Sequence, residues 1–325
     1  MSLAYDALRV FVNWQRERRL HKVRERKQAA RKATGLLAAG GGYIGFSRLL
    51  SGTSLAIRVD GSIACWGDND RGQAPPAGVP GNFVAIAAGN AHSLALRVDG
   101  SIACWGNNNA GQAPPDGVPG NFVAIAAGGA HSLALRADGS VACWGGNDHG
   151  QAPPAGVPGN FVAIAAGIGH SLALRVDGSI ACWGHNGEGQ APPVGVPGNF
   201  VAIAAGGGHS LALRVDGSIA CSGHNDRGQA PPAGVPGNFV AIAAGNAHSL
   251  ALRVDGSIAC WGHNGDGRAP PVGVPGNFVA IAACGGHSLA LRVDGNIACW
   301  GRNNRGQAPP AGVSSGPFRV TRADL

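Results

Sequence analysis

The sequence predicts an all-β fold: a seven-bladed β-propeller of 39-residue repeats, preceded by a basic helical N-terminal arm. Three observations carry this reading. A marker histidine recurs at His92, His131, His170, His209, His248 and His287, one every 39 residues, and one step earlier Thr53 is followed in register by SLAIRVDGSIACWG. A fixed period of this size marks an array of one supersecondary unit. Within each unit three short apolar segments are separated by Gly- and Pro-rich stretches, and ten of the 25 lysine and arginine residues crowd into the first 34 positions, ahead of the array.

The second copy shows the elements in order. Residues 93–98 alternate, with Leu94, Leu96 and Val98 on one face, and read as a strand. Asp99-Gly100 follows and predicts a two-residue type I′ hairpin turn. The same dipeptide begins at Asp60, Asp138, Asp177, Asp216, Asp255 and Asp294, so the hairpin is written seven times. Residues 101–105 form the return strand, with Ile102 and Cys104 opposite Ala103 and Trp105. The third strand is FVAIAA, residues 122–127, whose small side chains suit a crowded position at the axis of a ring. Between return strand and third strand runs GxNxxGQAPPxGVPG, too rich in Pro and Gly for regular structure, with its Gln-Ala segment a candidate for a short fourth strand.

A three-stranded sheet with two apolar faces is marginal alone and needs neighbours to cover it. Seven such sheets packed radially make a propeller. A closed ring is favoured over an open solenoid because the copies are uniform and none carries a polar cap. Six intact copies of the Ala-rich strand begin at Asn82, Asn121, Asn160, Asn199, Asn238 and Asn277. The seventh must come either from residues 44–50 or from the tail, residues 317–320. The tail is the expected source, which would join the two ends of the array in one sheet.

Two domains are expected, an arm over residues 1–40 and the propeller over residues 41–325. Residues 1–34 lack Pro and Gly and read as a helix that Gly35 ends. Leu3, Ala7, Val10 and Trp14 give its first half an apolar face. Its second half carries Arg16, Arg18, Arg19, Lys22, Arg24, Arg26, Lys27, Arg31 and Lys32. Of the 25 Lys and Arg residues and 18 Asp and Glu residues, fifteen of each follow residue 34, so the net charge of +7 belongs to the arm. Such an arm can neutralise phosphates, which makes nucleic acid or another anionic surface its expected partner. No apolar run reaches the roughly 20 residues a membrane-spanning helix needs. A soluble monomer is expected, cytoplasmic, with the nucleus as the alternative.

Seven of the eight cysteines share one repeat position: Cys65, Cys104, Cys143, Cys182, Cys221, Cys260 and Cys299. Face-packed sheets lie about 10 Å apart, too far for disulfides between neighbouring copies, so these read as small buried hydrophobes. Cys284 is the exception, standing where other copies have a Gly. The marker histidines each open a strand and are expected to bond backbone nearby. Six equivalent copies offer no differentiated general base. His185, His224 and His263 share one loop position in consecutive repeats, yet on adjacent blades they are expected to stand too far apart for one zinc ion. The recurrent Asn69, Asn108, Asn147, Asn186, Asn225, Asn264 and Asn303 read as turn formers. No catalytic residue, metal site or cofactor is expected.

The string GxxHSLALRVDGSIACWGxNxxGQ resembles the regulator of chromosome condensation repeat family, from about residue 51 to residue 313. The resemblance implies a seven-bladed propeller, with the slim blades of short-repeat bacterial members. It also implies packing roles for Trp66, Trp105, Trp144, Trp183, Trp261 and Trp300, a set that Ser222 interrupts. The founding member likewise carries a basic tail ahead of its propeller, binds chromatin and exchanges nucleotide on a small GTPase. That exchange uses irregular loops and a wedge-like insertion, whereas every repeat here is uninterrupted. Other short-repeat members clamp protein partners with one propeller face, so a protein partner of unknown identity is the leading expectation, with a chromatin or GTPase regulator as the alternative.

The copies differ from one another chiefly around the recurrent Asn. The loops carry Asp68, Asp70 and Arg71; Asn107, Asn109 and Ala110; Asp148 and His149; His185 and Glu188; His224, Asp226 and Arg227; His263 and Asp266; and Arg302 and Arg305. Smaller differences lie in the two residues before each marker histidine, and at Ala77, Asp116, Ala155, Val194, Ala233 and Val272. Loops on a rigid frame are where recognition resides, so these loop residues are the expected partner-binding rim.

Overall fold

In each unit the Ala-rich segment, the marker-histidine segment and the CWG segment form the inner, middle and outer strands of one antiparallel sheet, shown by a computed structural model that describes residues 36–40, 52–314 and 318–319. Blade 2 is representative, with strands Phe83–Ala88, His92–Arg97 and Ile102–Gly106. Blades 3 to 6 repeat it at Phe122–Ala127, His131–Arg136 and Val141–Gly145; Phe161–Ala166, His170–Arg175 and Ile180–Gly184; Phe200–Ala205, His209–Arg214 and Ile219–Gly223; and Phe239–Ala244, His248–Arg253 and Ile258–Gly262. Blade 7 comprises Phe278–Cys284, His287–Arg292 and Ile297–Gly301, and blade 1 comprises Leu37–Gly40, Thr53–Ile57 and Ile63–Gly67. All described regular structure is β, and the seven sheets close as a seven-bladed propeller. The predicted arm helix, residues 1–34, lies outside the described residues, as do residues 44–50.

The middle strands are buried from the marker residue through the last leucine because neighbouring sheets cover both of their faces. Val98, expected on the apolar face, instead sits in the hairpin and is 47% exposed. The hairpin itself differs from the type I′ prediction. Gly100 N–H donates to Arg97 O at 3.0 Å, closing a four-residue turn. Gly100 then takes a φ of +83° while, among the described residues, none other than glycine has positive φ. A type I′ turn would need Asp99 in the left-handed region; a turn followed by a left-handed Gly is the three-residue bulged alternative. Asp99 Oδ1 accepts both the amide and the hydroxyl of Ser101, at 2.9 and 2.6 Å. The expected fourth strand at Gln-Ala is replaced by a single bridge lying farther along, Ile102 to Val118, with equivalents at Ile63–Val79 and Ile297–Val313.

Blade 1 is completed from two places. Leu37–Gly40 pairs with Thr53–Ile57 in the register Leu37↔Ala56, Ala38↔Leu55, Ala39↔Ser54 and Gly40↔Thr53. This matches Ile86↔Ala95 and Ala87↔Leu94 of blade 2, one repeat on. Residues assigned from sequence to the arm thus supply the IAAG portion of an inner strand. The phenylalanine portion comes from the tail. Phe318 bridges Arg58 as Phe83 pairs with Arg97, and Arg319 N–H donates to Ile57 O at 3.0 Å. The tail therefore does join the first blade, but only as the front of its inner strand. The break falls where every intact inner strand has its register shift, between Phe83 and Ala85 in blade 2. A strand is most easily divided at a bulge, where one residue is already unpaired.

One polar relay links successive blades. His92 Nε2 lies 2.9 Å from Ser132 Oγ in the next blade, and Ser132 Oγ donates to the main-chain carbonyl of Gln112 at 2.9 Å. Because the serine proton is committed to that carbonyl, the imidazole must donate, which sets the Nε2–H tautomer. The Trp144 indole N–H donates to the same Gln112 carbonyl at 3.0 Å. The arrangement recurs around the ring and crosses the closure, where Ser54 meets His287 at 3.0 Å and both Ser54 and Trp66 donate to Gln307 O. Blade 1 has Thr53 at the marker position, and its hydroxyl turns to Asp68 O instead. The relay leaves each marker Nδ1 buried without a hydrogen-bond partner. The rings also press on the glycine ending the inner strand. A Cβ at Gly89 would overlap His92 and crowd the Gly128 carbonyl of the next blade. Cys284 occupies this position in blade 7, where the strand runs one residue further to pair Cys284 with His287 and Gly285 takes a φ of +50°.

Two expectations follow from these contacts. Phe318 is only 2% exposed, so Phe318→Ala should lower the unfolding free energy by about 3–5 kcal/mol. Denaturant titration of the full chain measures this, and an unchanged midpoint would show that the tail does not hold blade 1. Acid should also weaken the ring. Burial lowers the marker imidazoles to about 4 for His92, His131, His170 and His287, and to about 3 for His209. In the unfolded chain they protonate near the ordinary value of 6.5. Stability should thus be full above pH 6.5 and fall as pH drops toward 4, because the unfolded chain binds more protons there. The Asp99 carboxyl, held below its ordinary value by Ser101, titrates outside that window. Unfolding measured across this range should lose up to about 1.4 kcal/mol per pH unit of its slope for each marker histidine replaced by Asn.

Candidate functional site: the loop face

The loop after each outer strand is held by its recurrent asparagine and, in six of the seven loops, by a glutamine. In blade 2, Asn108 Oδ1 accepts the Ala113 N–H at 2.8 Å, and Gln112 Oε1 accepts the Ala110 N–H at 2.9 Å. The same asparagine bond recurs in all seven loops, at Asn69, Asn147, Asn186, Asn225, Asn264 and Asn303. These asparagines are turn formers, and the side chains flanking them are left outside the fastening.

The first residue of each loop donates its N–H to the turn before the middle strand of the same blade. Asn107 reaches Ala91 O at 2.8 Å, His185 reaches Gly169 O at 2.8 Å, and Arg302 reaches Gly286 O at 2.9 Å. Two sets of variable positions, far apart in the repeat, therefore lie side by side on one face. The third set is elsewhere. Ala77, Asp116, Ala155, Val194, Ala233 and Val272 sit in the turn before the valine that bridges the start of the outer strand, toward the hairpin face. Val194 and Val272 there are 94% and 95% exposed.

Of the loop residues singled out from sequence, Asp70, Arg71, Asn109, Asp148, His149, His185, Glu188, Asp226, Arg227, Asp266 and Arg305 are exposed. Asn107, His224, His263 and Arg302 are half-buried. Asp68 is buried, and its carboxylate accepts the Asp70 N–H at 3.1 Å, so it shapes its loop instead of facing outward. Adjacent loops touch. The His149 and His185 rings meet edge to face at 4.9 Å, Arg302 reaches Asp266 at 3.3 Å, and Arg305 reaches Asp70 at 3.2 Å. The two inter-blade ion pairs tie blade 7 to both neighbours. His185 and His224 each accept the glutamine side-chain amide of their own loop at Nδ1, from Gln190 at 2.6 Å and Gln229 at 2.9 Å. His224 Nε2 meets Asp226 at 3.0 Å. No group of three or more His, Cys, Asp or Glu side chains gathers among the described residues. The cysteine thiols are pushed up to about 11–12 by burial, for example Cys104 and Cys182, and remain neutral. The arm residues Arg16 to Lys32 lie outside the described residues.

Sequence reasoning missed the glutamines and their one replacement. Gln73, Gln112, Gln151, Gln190, Gln229 and Gln307 are buried, fastening their loops with the side chain and the next blade with the carbonyl. Blade 6 has Arg268, whose side chain is 4% exposed and bonds Asp266. Its carbonyl still takes Ser288 and Trp300. Its guanidinium also stands beside Gly286 of blade 7. His263 consequently lacks the glutamine anchor, and burial followed by the Arg268 and Arg227 charges lowers its pKa. The signal was present as Gly267-Arg268 in place of Gly-Gln.

The model of the regulator of chromosome condensation (RCC1) repeat matches residues 83–112, 122–151, 161–190, 200–229, 239–268 and 278–307. Each match begins at the inner-strand phenylalanine and ends at the glutamine position, so it coincides with one blade and its loop. The chain belongs to the RCC1 repeat family. The six matches are blades 2 to 7 of this RCC1-repeat propeller; blade 1, with its divided inner strand, is not matched.

Solved structures agree on the fold. The CRINKLY WD40 ectodomain of the Arabidopsis thaliana receptor kinase ACR4 superposes with a TM-score of 0.67 at 22% identity, covering 85% of this chain and 98% of that one. The ectodomain of the Physcomitrella patens receptor kinase CR4 gives 0.63 at 26% identity, covering 82% and 72%. Prp20p of Saccharomyces cerevisiae gives 0.59 at 23% identity, covering 74% and 76%. No curated protein sequence matches the chain.

The buried arginine makes a sharp test of the loop face. Asp266→Ala leaves Arg268 buried without its carboxylate and should cost about 3–5 kcal/mol of stability. The Arg268→Gln change made on top of it should recover most of that loss by restoring the sister arrangement. Asp70→Ala removes only an exposed pair and should cost less than about 1 kcal/mol. Unfolding curves for the three variants check the order.

Proposed function

We propose that this RCC1-repeat propeller is a non-enzymatic scaffold that binds a protein partner through the face carrying its seven variable loops. The observation that carries the reading is the segregation of variation. Two of the three sets of positions that differ between copies, separated in sequence, are brought onto one face by the loop-to-turn hydrogen bonds, while the recurrent Asn and all but one of the Gln residues fasten that face from beneath. Asp70, Arg71, Asn109, Asp148, His149, His185, Glu188, Asp226, Arg227, Asp266 and Arg305 would make the contacts, with Asn107, His224, His263 and Arg302 between them. The marker histidines are 0% exposed and committed to the inter-blade relay, which leaves them no access to a substrate. A structural relative points the same way, since Prp20p is described with binding properties toward Gsp1p and histones. The arm would add a second contact through Arg16, Arg18, Arg19, Lys22, Arg24, Arg26, Lys27, Arg31 and Lys32, to nucleic acid or another anionic surface.

Affinity capture distinguishes the loop face from the rest of the ring. Alanine at Arg71, Asn109, His149, Glu188, Arg227 and Arg305 should abolish retention of a partner held by the unaltered chain. Serine at Val194 and Val272 with Ala at Asp116, on the hairpin face, should leave it intact. Equal retention by both variants would reject the loop-face reading. For the arm, removing residues 1–34 should eliminate salt-sensitive binding to duplex DNA while leaving protein capture unchanged.

A further inference from the structure

The blade 4–blade 5 boundary lacks a part that its sister boundaries have. In the other six blades a tryptophan closes the outer strand and donates its indole N–H to the blade before it, at 2.9–3.1 Å. Blade 5 has Ser222 there. The Gln190 carbonyl, which would receive the indole, keeps only the Ser210 hydroxyl at 2.8 Å. The apolar cluster between blades 4 and 5, built on Leu172, Leu174, Ile180 and Phe200, has no tryptophan packed against it, whereas the five other clusters each do.

The gap is an open cleft and has not collapsed. Leu172, Ile180, Cys182 and Val196 line it from blade 4, Ala220 and Ser222 line it from blade 5, and it holds about 70 Å³ of free space that opens to solvent. Cys221, next to the missing ring, is half-buried where most of its repeat equivalents are buried. Backbone pairing is undisturbed, since Ser222 still pairs with Ser210 as Trp183 pairs with Ser171. The frame that holds an indole in six places is therefore present a seventh time without one. Apolar side chains of these types bind small aromatic rings in closed cavities, and the Gln190 carbonyl at the edge of the cleft, which holds one hydrogen bond where its equivalents hold two, adds a requirement for a donor.

We propose that this cleft is a binding site for a small indole-class molecule, a planar bicyclic heteroaromatic whose ring N–H donates to the Gln190 carbonyl. The ring takes the place of the absent tryptophan between Ile180, Cys182 and Ala220, and its binding strengthens the weakest blade boundary. The sister blades specify the ligand: flat, two fused rings, and one donor at the edge. The inference stands apart from the loop-face reading, because it concerns the interior of a blade boundary and none of the variable loop residues.

Calorimetric titration of the full chain with indole tests it, alongside thermal unfolding with and without the ligand. One indole should bind per chain and raise the unfolding temperature. In 1-methylindole the donor is blocked, and its affinity should fall about tenfold, the equivalent of roughly 1.4 kcal/mol. Ser222→Trp restores the residue of the sister blades; it should unfold at higher temperature than the parent and bind no indole. Absence of saturable binding at millimolar indole would overturn the proposal. So would binding that persists unchanged in Ser222→Trp, or equal affinity for indole and 1-methylindole.

Discussion

The whole ring hangs on one main-chain carbonyl per blade. At Gln112 and five of its equivalents that oxygen takes a serine hydroxyl and an indole N–H from the next blade, filling both lone pairs, while Gln190 takes the hydroxyl alone. The serine in turn accepts the imidazole N–H of the blade it faces back toward. Each sheet is too small to bury its own apolar faces, so blade boundaries must supply the stability that individual blades lack. Hydrogen bonds of this kind contribute about 1 kcal/mol each in net terms. Their greater effect is on geometry, because a buried donor left without its acceptor is costly. A blade that slipped along its neighbour would orphan three polar groups at once. This explains why His, Ser, Gln and Trp are among the most repetitive residues in the chain and why none of them is at hand for chemistry.

Much of the architecture was legible from the sequence because it depends on local signals repeated many times. Period, strand order and the Asp-Gly hairpins are written in nearly every copy. The failures have specific causes. Asp-Gly alone does not distinguish a type I′ turn from a bulged turn, since the choice rests on the Asp99 backbone and on what its carboxylate captures. LLAAG at residues 36–40 differs from AIAAG at its first two residues, Leu36 and Leu37, and it lies next to a highly charged stretch that drew it into the arm. The phenylalanine it lacks is carried by Phe318, and no pattern within either segment reveals that the two share a strand.

The loop face was foreseen as a set of variable residues, but its internal fastening was not. Asp68 looked like its neighbours Asp70 and Arg71 and proved to be buried. Arg268 was passed over because it sits at a scaffold position, yet it reorganises its loop, pulls Asp266 inward and leaves His263 unanchored. Charge on this face is therefore concentrated and mutually engaged near blade 7, while blade 2 presents only amides and a methyl group. A partner would meet a surface that is chemically different in every direction around the axis.

The divided inner strand of blade 1 also sets an order of events during synthesis. Arg319 and Val59 are 260 residues apart and yet in contact, so the first blade to leave the ribosome is the last to be finished. Until residues 318–319 emerge, blade 1 lacks the front of its inner strand, and its seat between blades 7 and 2 rests on Leu37–Gly40 and the two strands that follow. The apolar surface that Phe318 covers is open to other chains and to chaperones until then. The finished first blade thus records that two distant stretches of the chain, residues 37–40 and 318–319, have met.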